Sequence, residues 1–333
     1  MTQAVLCCAK PGRVYMRVLI TGAAGMIGRK LTRALLGRGA LQGRPISQLI
    51  LHDIVAAEAT APHLALVGDL AASGTAAGLM RHHPEVIFHL AGVVSGEAEA
   101  NFDLGYRVNV DGTRALFDAI RAAGHSPRVV YASTTAVFGG PFPEEIPDDF
   151  APTPHSSYGA QKLIGEALLA DYSRRGFMDG IGLRLPTICV RPGKANKAAS
   201  SFFSAIIREP LNRLPADLPV PRDWLHTMAS PRAAVGFFLH AAELDLGLVG
   251  LRRNLTLPGA AVTVAEQIAA LTRAAGADVA RLIRDVPDPA VWAIVQSWPR
   301  RFAATRAKAL GFRAEASFDE ILQVYLEDDL HRV

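Results

Sequence analysis

The run MRVLITGAAGMIGRKLTRALLGRG, Met16 to Gly39, constrains this chain more than any other stretch. A short apolar segment closes on a glycine-rich turn, and apolar residues then recur at helical spacing, so the run reads strand, turn, helix. Gly22, Gly25 and Gly28 stand at GxxGxxG spacing, with Met26 and Ile27 between the last two. Glycines there permit a tight turn and let a pyrophosphate approach backbone N–H groups at the positive end of the helix. A chain that opens this way expects a parallel sheet and a dinucleotide.

The alternation continues through QLILHDI, VIFHLAG, NFDLGYRVNVDGTRALFDAIRAAG, RVVYAST, a helix opening near Tyr158, and GIGLRLPT. Short apolar strands alternating with helices predict an α/β fold, a Rossmann-type doubly wound parallel sheet covered on both faces. Beyond about residue 185 the rhythm loosens into a Pro-rich and basic stretch. The helical runs TVAEQIAALTRAAG and FDEILQVYLEDDL then form a smaller C-terminal substrate-binding lobe. The expected organisation is a flexible extension over 1–15, an NAD-binding domain over 16–185, and a mainly substrate-binding lobe over 186–333. Within that lobe, residues 226–257 return to the first domain.

A formal net charge of +4 over 333 residues gives no reason to expect a nucleic-acid partner. Cys7, Cys8 and Cys189 match neither a disulfide framework nor a zinc or redox motif, so no metal is expected and a reducing cytoplasm fits. No apolar run reaches the roughly 18 residues that a membrane span needs.

Asp53 ends the second predicted strand, where a carboxylate can accept hydrogen bonds from adenosine ribose hydroxyls and disfavour a 2′-phosphate. The expected cofactor is therefore NAD rather than NADP, with Arg29 read as a solvated helix residue. In GDL, Asp69 is expected to bond the adenine amino group and the Leu70 N–H a ring nitrogen. HLAG ends the fourth strand in small residues, and Ala91 and Gly92 leave room for a cofactor to cross the sheet edge. His89 reads as a core histidine.

In SSYGAQK, Tyr158 and Lys162 stand four residues apart and share one helical face. A free phenol has a pKa of about 10, and a neighbouring ammonium favours its ionised form. Tyr158 is then a candidate general base for an alcohol, with Lys162 holding the cofactor's ribose. RVVYASTTAVFGG supplies Ser133, Thr134 and Thr135 at a strand end, and a hydroxyl there can orient the reacting oxygen.

TGAAGMIG, GDL, HLAG, NVDGT, YAST, YGAQK and RDWLHT, in this order, resemble the extended short-chain dehydrogenase/reductases from Met16 nearly to the end. The resemblance implies NAD, a homodimer formed through the helices at about 101–124 and 157–176, and Tyr158 and Lys162 as the active-site pair. It implies Thr134 as the hydroxyl partner and Ser133 beside the nicotinamide. Asn109 matches the family asparagine beside the fourth strand, and Pro186 to Ile188 match the stretch whose backbone meets the carboxamide.

Departures narrow the choice. Dehydratases of this kind follow the active-site threonine with Asp-Glu, where this chain has Thr135 and Ala136. Nucleotide-sugar epimerases usually carry asparagine at the position of Thr187, although Arg222 matches one of their phosphate-contacting arginines. GVVSGEAEANFDLGYRVNVDGTRAL and RLPTICVRPGKANKAASSFFSAIIREPL resemble members that oxidise the C2 hydroxyl of a four-carbon sugar acid with NAD. Such a substrate implies a carboxylate partner, for which Arg191, Asn196 and Lys197 are candidates, and a hydroxyl partner at Ser95. A nucleotide-sugar epimerase and a uronate-type dehydrogenase are the alternatives.

Overall fold

The computed structural model describes residues 15–193 and 200–330; Asn196, Lys197 and the first fourteen residues lie outside them. In chain order come β1 (Met16–Thr21), α1 (Met26–Arg38), β2 (Ala40–Leu41), β3 (Arg44–Asp53), β4 (Leu64–Val67), α2 (Thr75–Met80) and β5 (Val86–His89). Next are α3 (Ser95–Ala100), α4 (Phe102–Gly105), a π-helical stretch (Tyr106–Asp111), α5 (Gly112–Ala123), β6 (Arg128–Thr134), α6 (Ser157–Arg174) and β7 (Asp179–Leu185). The remainder is β8 (Thr187–Ile188), α7 (Ser201–Leu211), β9 (Ala216–Leu218), β10 (Leu225–Ala229), α8 (Pro231–Glu243), β11 (Asn254–Thr256) and β12 (Ala260–Thr263). It ends with α9 (Val264–Ala275), α10 (Ala277–Ala280), β13 (Ile283–Asp285), α11 (Pro289–Val295), α12 (Thr305–Ala309) and α13 (Phe318–Asp328).

The main sheet is parallel in the order β11-β7-β6-β5-β1-β3-β4, with the short β2 antiparallel on the start of β3. Its strands are apolar on both sides because both sides are covered. Val18 and Ile20 of β1 face a core shared with Leu31 and Leu35 of α1 and Phe237 and Phe238 of α8. Leu19 points the other way, into a core with Ile87, Leu116, Phe117 and Leu169. Strand order reverses between β1 and β5, and such a switch point opens a crevice at the C-terminal strand ends.

The chain leaves this sheet at Pro186. β8 pairs with β10 in a three-stranded sheet completed by β12, and β9 pairs with β13. These small sheets and α7, α9 and α13 enclose a separate core containing Phe203, Trp224, Leu271 and Phe318. The main sheet recovers two later elements: α8 packs on its face and β11 extends its edge beside β7. Among the described residues, no helix is long and apolar enough to cross a membrane.

Candidate active site

At the switch point, Gly22 adopts φ +75, and a Cβ there would lie 2.7 Å from Ala91 N and 2.8 Å from the Leu90 carbonyl carbon. The glycine turn thus abuts the exit of β5. Gly28 is equally confined, since a Cβ would come within 2.2 Å of Gly22 O. Met26 and Ile27 open α1, partly buried against the core below. This helix starts from Gly25 with no side-chain cap and no acidic residue in its first turn, whereas α6, α8, α9 and α13 are capped by Ser156, Ser230, Thr263 and Ser317. An uncapped helix start offers N–H groups and positive potential to an anion, which fits the pyrophosphate of a dinucleotide.

Asp53 sits at the tip of β3 and accepts Ala24 N at 2.9 Å and Ile54 N at 2.7 Å, tying the glycine turn to a carboxylate. Asp69 accepts Ala71 N at 2.9 Å and pairs with Arg107; the amide first and the guanidinium next hold its carboxyl below the usual range against the opposing cost of burial. Sequence reasoning missed Arg107, which comes from the π-helical stretch. Leu70 is buried in the core under that end of the crevice.

Gly92 lies where a Cβ would meet Asn109 Oδ1 at 2.8 Å and Lys162 Nζ at 3.3 Å. Asn109 is fully buried, accepts Val93 N at 2.9 Å and donates to Gln161 Oε1 at 2.8 Å. It therefore joins the exit of β5 to α6. His89 lies beneath. Thr113 donates to Asn109 O at 2.7 Å, so His89 Nε2–H donates to Thr113 at 2.9 Å while Nδ1 accepts from Thr21 at 2.7 Å. Burial pushes this imidazole down to about 3, and it stays neutral.

Tyr158 stands in the first turn of α6, where Ser156 caps the helix by accepting Gly159 N at 3.1 Å. Burial pushes its phenol up to about 12, opposed by the charge of Arg191 and by a hydrogen bond with Thr134. Thr134 Oγ1 also accepts Ala136 N at 3.1 Å, which turns the chain at the end of β6. Lys162 donates to Ala132 O at 3.0 Å and lies 5.9 Å from the Tyr158 ring centroid; burial lowers its ammonium to about 8. Lys162 thus stands beside the Tyr158 ring, and Arg191 is a second cation whose charge acts on the phenol. Ser133 turns its hydroxyl inward, donating to Glu166 at 2.6 Å, so only its backbone remains at the strand end.

Arg191 follows β8. It donates from Nε to Ile188 O at 2.9 Å and from Nη2 to Ser200 Oγ at 3.0 Å, while its backbone N–H donates to Ser204 Oγ at 3.0 Å. Pro186 and Ile188 are buried beside it, and Thr187 shares a 2.7 Å hydrogen bond with His226 Nε2. Ser95 is half-buried at the start of α3. Arg222 forms an exposed ion pair with Asp285 at 2.9 and 2.8 Å. Glu166, Gln161 and His226 escaped the sequence reading, although Glu166 is one helical turn beyond Lys162. Among the described residues, no cluster of three or more His, Cys, Asp or Glu side chains is placed to hold a metal ion.

Residues 18–235 match the NAD dependent epimerase/dehydratase family. D-erythronate dehydrogenase of Cupriavidus necator is 49% identical over 94% of this chain and 98% of its own length. D-erythronate dehydrogenase of Haemophilus influenzae is 40% identical over 95% of this chain and all (100%) of its own. A crystal structure described as a nucleoside-diphosphate-sugar epimerase from Agrobacterium tumefaciens is 52% identical, with a TM-score of 0.92 over 97% of this chain and 98% of that one. Since the family match spans well over half of the chain and relatives alike along their whole length are dehydrogenases, the chain belongs to the NAD dependent epimerase/dehydratase family and is an oxidoreductase whose cofactor is NAD.

Proposed function

We propose that the protein oxidises the C2 hydroxyl of D-erythronate to the 2-oxo acid. What carries the reading is the half-buried Arg191, held by Ile188 O and Ser200 with its charge acting on Tyr158, because a small acid needs a cation beside the base that takes its hydroxyl proton. Thr134 orients the substrate oxygen, and Tyr158 accepts its proton. Arg191 pairs with the carboxylate, Ser95 bonds a distal hydroxyl, and Lys162 holds the cofactor's ribose. Gly22, Gly25, Met26, Ile27, Gly28, Asp53, Asp69, Leu70, Ala91, Gly92, Asn109, the Ser133 backbone, Pro186 and Ile188 form the cofactor's side of the crevice. NAD bound there supplies the acceptor for the C2 hydride. The active form is a homodimer built on α4 to α6, where Phe102 and Ile164 stand exposed; light scattering on the eluting protein tests this.

The relative described as an epimerase favours a second reading, oxidation and re-reduction of a nucleotide sugar. Against it, Thr187 stands where such enzymes usually carry asparagine, and its hydroxyl is shared with His226. An NAD-reduction screen over four- to six-carbon aldonic and uronic acids separates the readings. Steady NADH formation from D-erythronate is expected, falling by roughly 10²–10⁴ in kcat for Tyr158→Phe with NAD binding kept. Epimerisation without net NADH would sink the proposal.

A further inference from the structure

One face of α6 holds three successive residues at the end of β6. Lys162 Nζ donates to Ala132 O at 3.0 Å, Ser133 Oγ donates to Glu166 Oε1 at 2.6 Å, and the Thr134 hydroxyl meets Tyr158. Tyr158, Lys162 and Glu166 follow one another at steps of four. Glu166 has no part in the chemistry, yet its side chain is 1% exposed and gripped twice by Arg184, from Nε at 2.9 and 3.2 Å and from Nη2 at 2.7 Å. Ser133 and Arg184 are register partners on β6 and β7, so both donors reach the carboxylate side by side. The guanidinium also lies 4.9 Å from the Phe138 ring centroid, just beyond the turn that follows Thr134.

The helix has almost no cushion against that strand. A Cβ on Gly159 would lie 2.1 Å from Ala136 O, and one on Gly165 would lie 2.3 Å from the Tyr131 hydroxyl. A slide of α6 would therefore alter the meeting of Tyr158 with Thr134 directly. Desolvation offsets most of what a buried ion pair gains over apolar packing, whereas its bidentate geometry still fixes direction.

We propose that Glu166, held by Arg184 and Ser133, is a positioning residue for the dehydrogenase reaction, setting the height and rotation of α6 so that Tyr158 and Lys162 meet the end of β6. The turnover part of the test rests on the oxidative reading above; the lysine part does not. Glu166→Gln leaves a buried Arg184 short of its partner, so its melting temperature falls. The double variant Glu166→Met/Arg184→Met replaces both charges with apolar groups and is expected to regain the wild-type melting temperature. Its kcat on the sugar acid that the wild type oxidises stays at least about ten-fold down, as misplacement of reacting groups predicts. Its Lys162 ammonium moves up from about 8 towards an ordinary lysine, followed by magnetic resonance of lysine labelled at the side-chain nitrogen and assigned with Lys162→Arg. A double variant with wild-type kcat and an unmoved Lys162 titration overturns the proposal. If the wild type oxidises no sugar acid, the functional reading falls and the Lys162 titration alone decides this one. If the double variant does not fold, Ser133→Ala, which keeps the ion pair, gives the same two readouts.

Discussion

A guanidinium beside a phenol favours the phenolate, and Arg191 stands in that relation to Tyr158. Removing the cation raises the phenol's pKa, so the acid limb of kcat/KM moves to higher pH. Arg191→Met is expected to show that shift together with a loss of roughly 10- to 100-fold in kcat/KM for the sugar acid, the worth of a charge-assisted bond of about 1.5–3 kcal/mol. Arg191→Lys keeps the charge, so it should keep the acid limb and lose mainly in KM. An unmoved acid limb in Arg191→Met would separate the guanidinium from the base. At this scale the sequence displays residue types and spacings but not the ends of side chains. The Tyr158 and Lys162 spacing announces a shared face, yet nothing in it says that the ammonium reaches back to Ala132 O. Ser133 and Thr134 are neighbours of one chemistry, and only the strand's alternation sends one hydroxyl into the core and the other to the site.

Helix α6 is the element on which the site depends, and its glycines are as confined as Gly28 of α1. Gly159→Ala forces a methyl against the Ala136 carbonyl at 2.1 Å, and backbone cannot step aside as a side chain can. A loss of about 1–3 kcal/mol by urea unfolding is expected, with a fall in kcat. Gly37, on the outer side of α1, has nothing within 4 Å of its would-be Cβ, so Gly37→Ala should gain about 0.5–1 kcal/mol. Both residues read alike in a sequence; what distinguishes them is the turn after β6, contributed from elsewhere. Apolar periodicity made the strands and α1 legible because burial on a given face dictates it. The helix read over 101–124 is instead α4, a π-helical stretch and α5, which widens where Gln161 packs on Gly105 and aims Asn109 at Gln161. No local pattern marks that widening, because its cause lies on another helix.

Across the whole molecule, each core buries a histidine that must remain neutral. Burial lowers His226 to about 4 and His89 to about 3, from an ordinary 6.5. The unfolded chain therefore takes up these protons first. The stability concerned is complete above about pH 6.5 and is lost as pH falls through the window between 6.5 and 4. Each histidine contributes a slope of about 1.4 kcal/mol per pH unit there. Unfolding free energies measured from pH 7 to 4 should fall accordingly, and His226→Gln should remove that residue's share of the slope.

The chain passes from the main sheet to the small sheets at Pro186, returns with α8, leaves again between β11 and β12, comes back at Ala307 and Phe312, and ends in the small lobe with α13. Cores laced by five passages of one thread cannot be parted by a single cut. A segment ending before β8 would forfeit α8, whose Phe237 and Phe238 cover one face of the main sheet. The lobe over the crevice is therefore no interchangeable cassette. Any change of substrate has to be made in short stretches between strands that stay where they are.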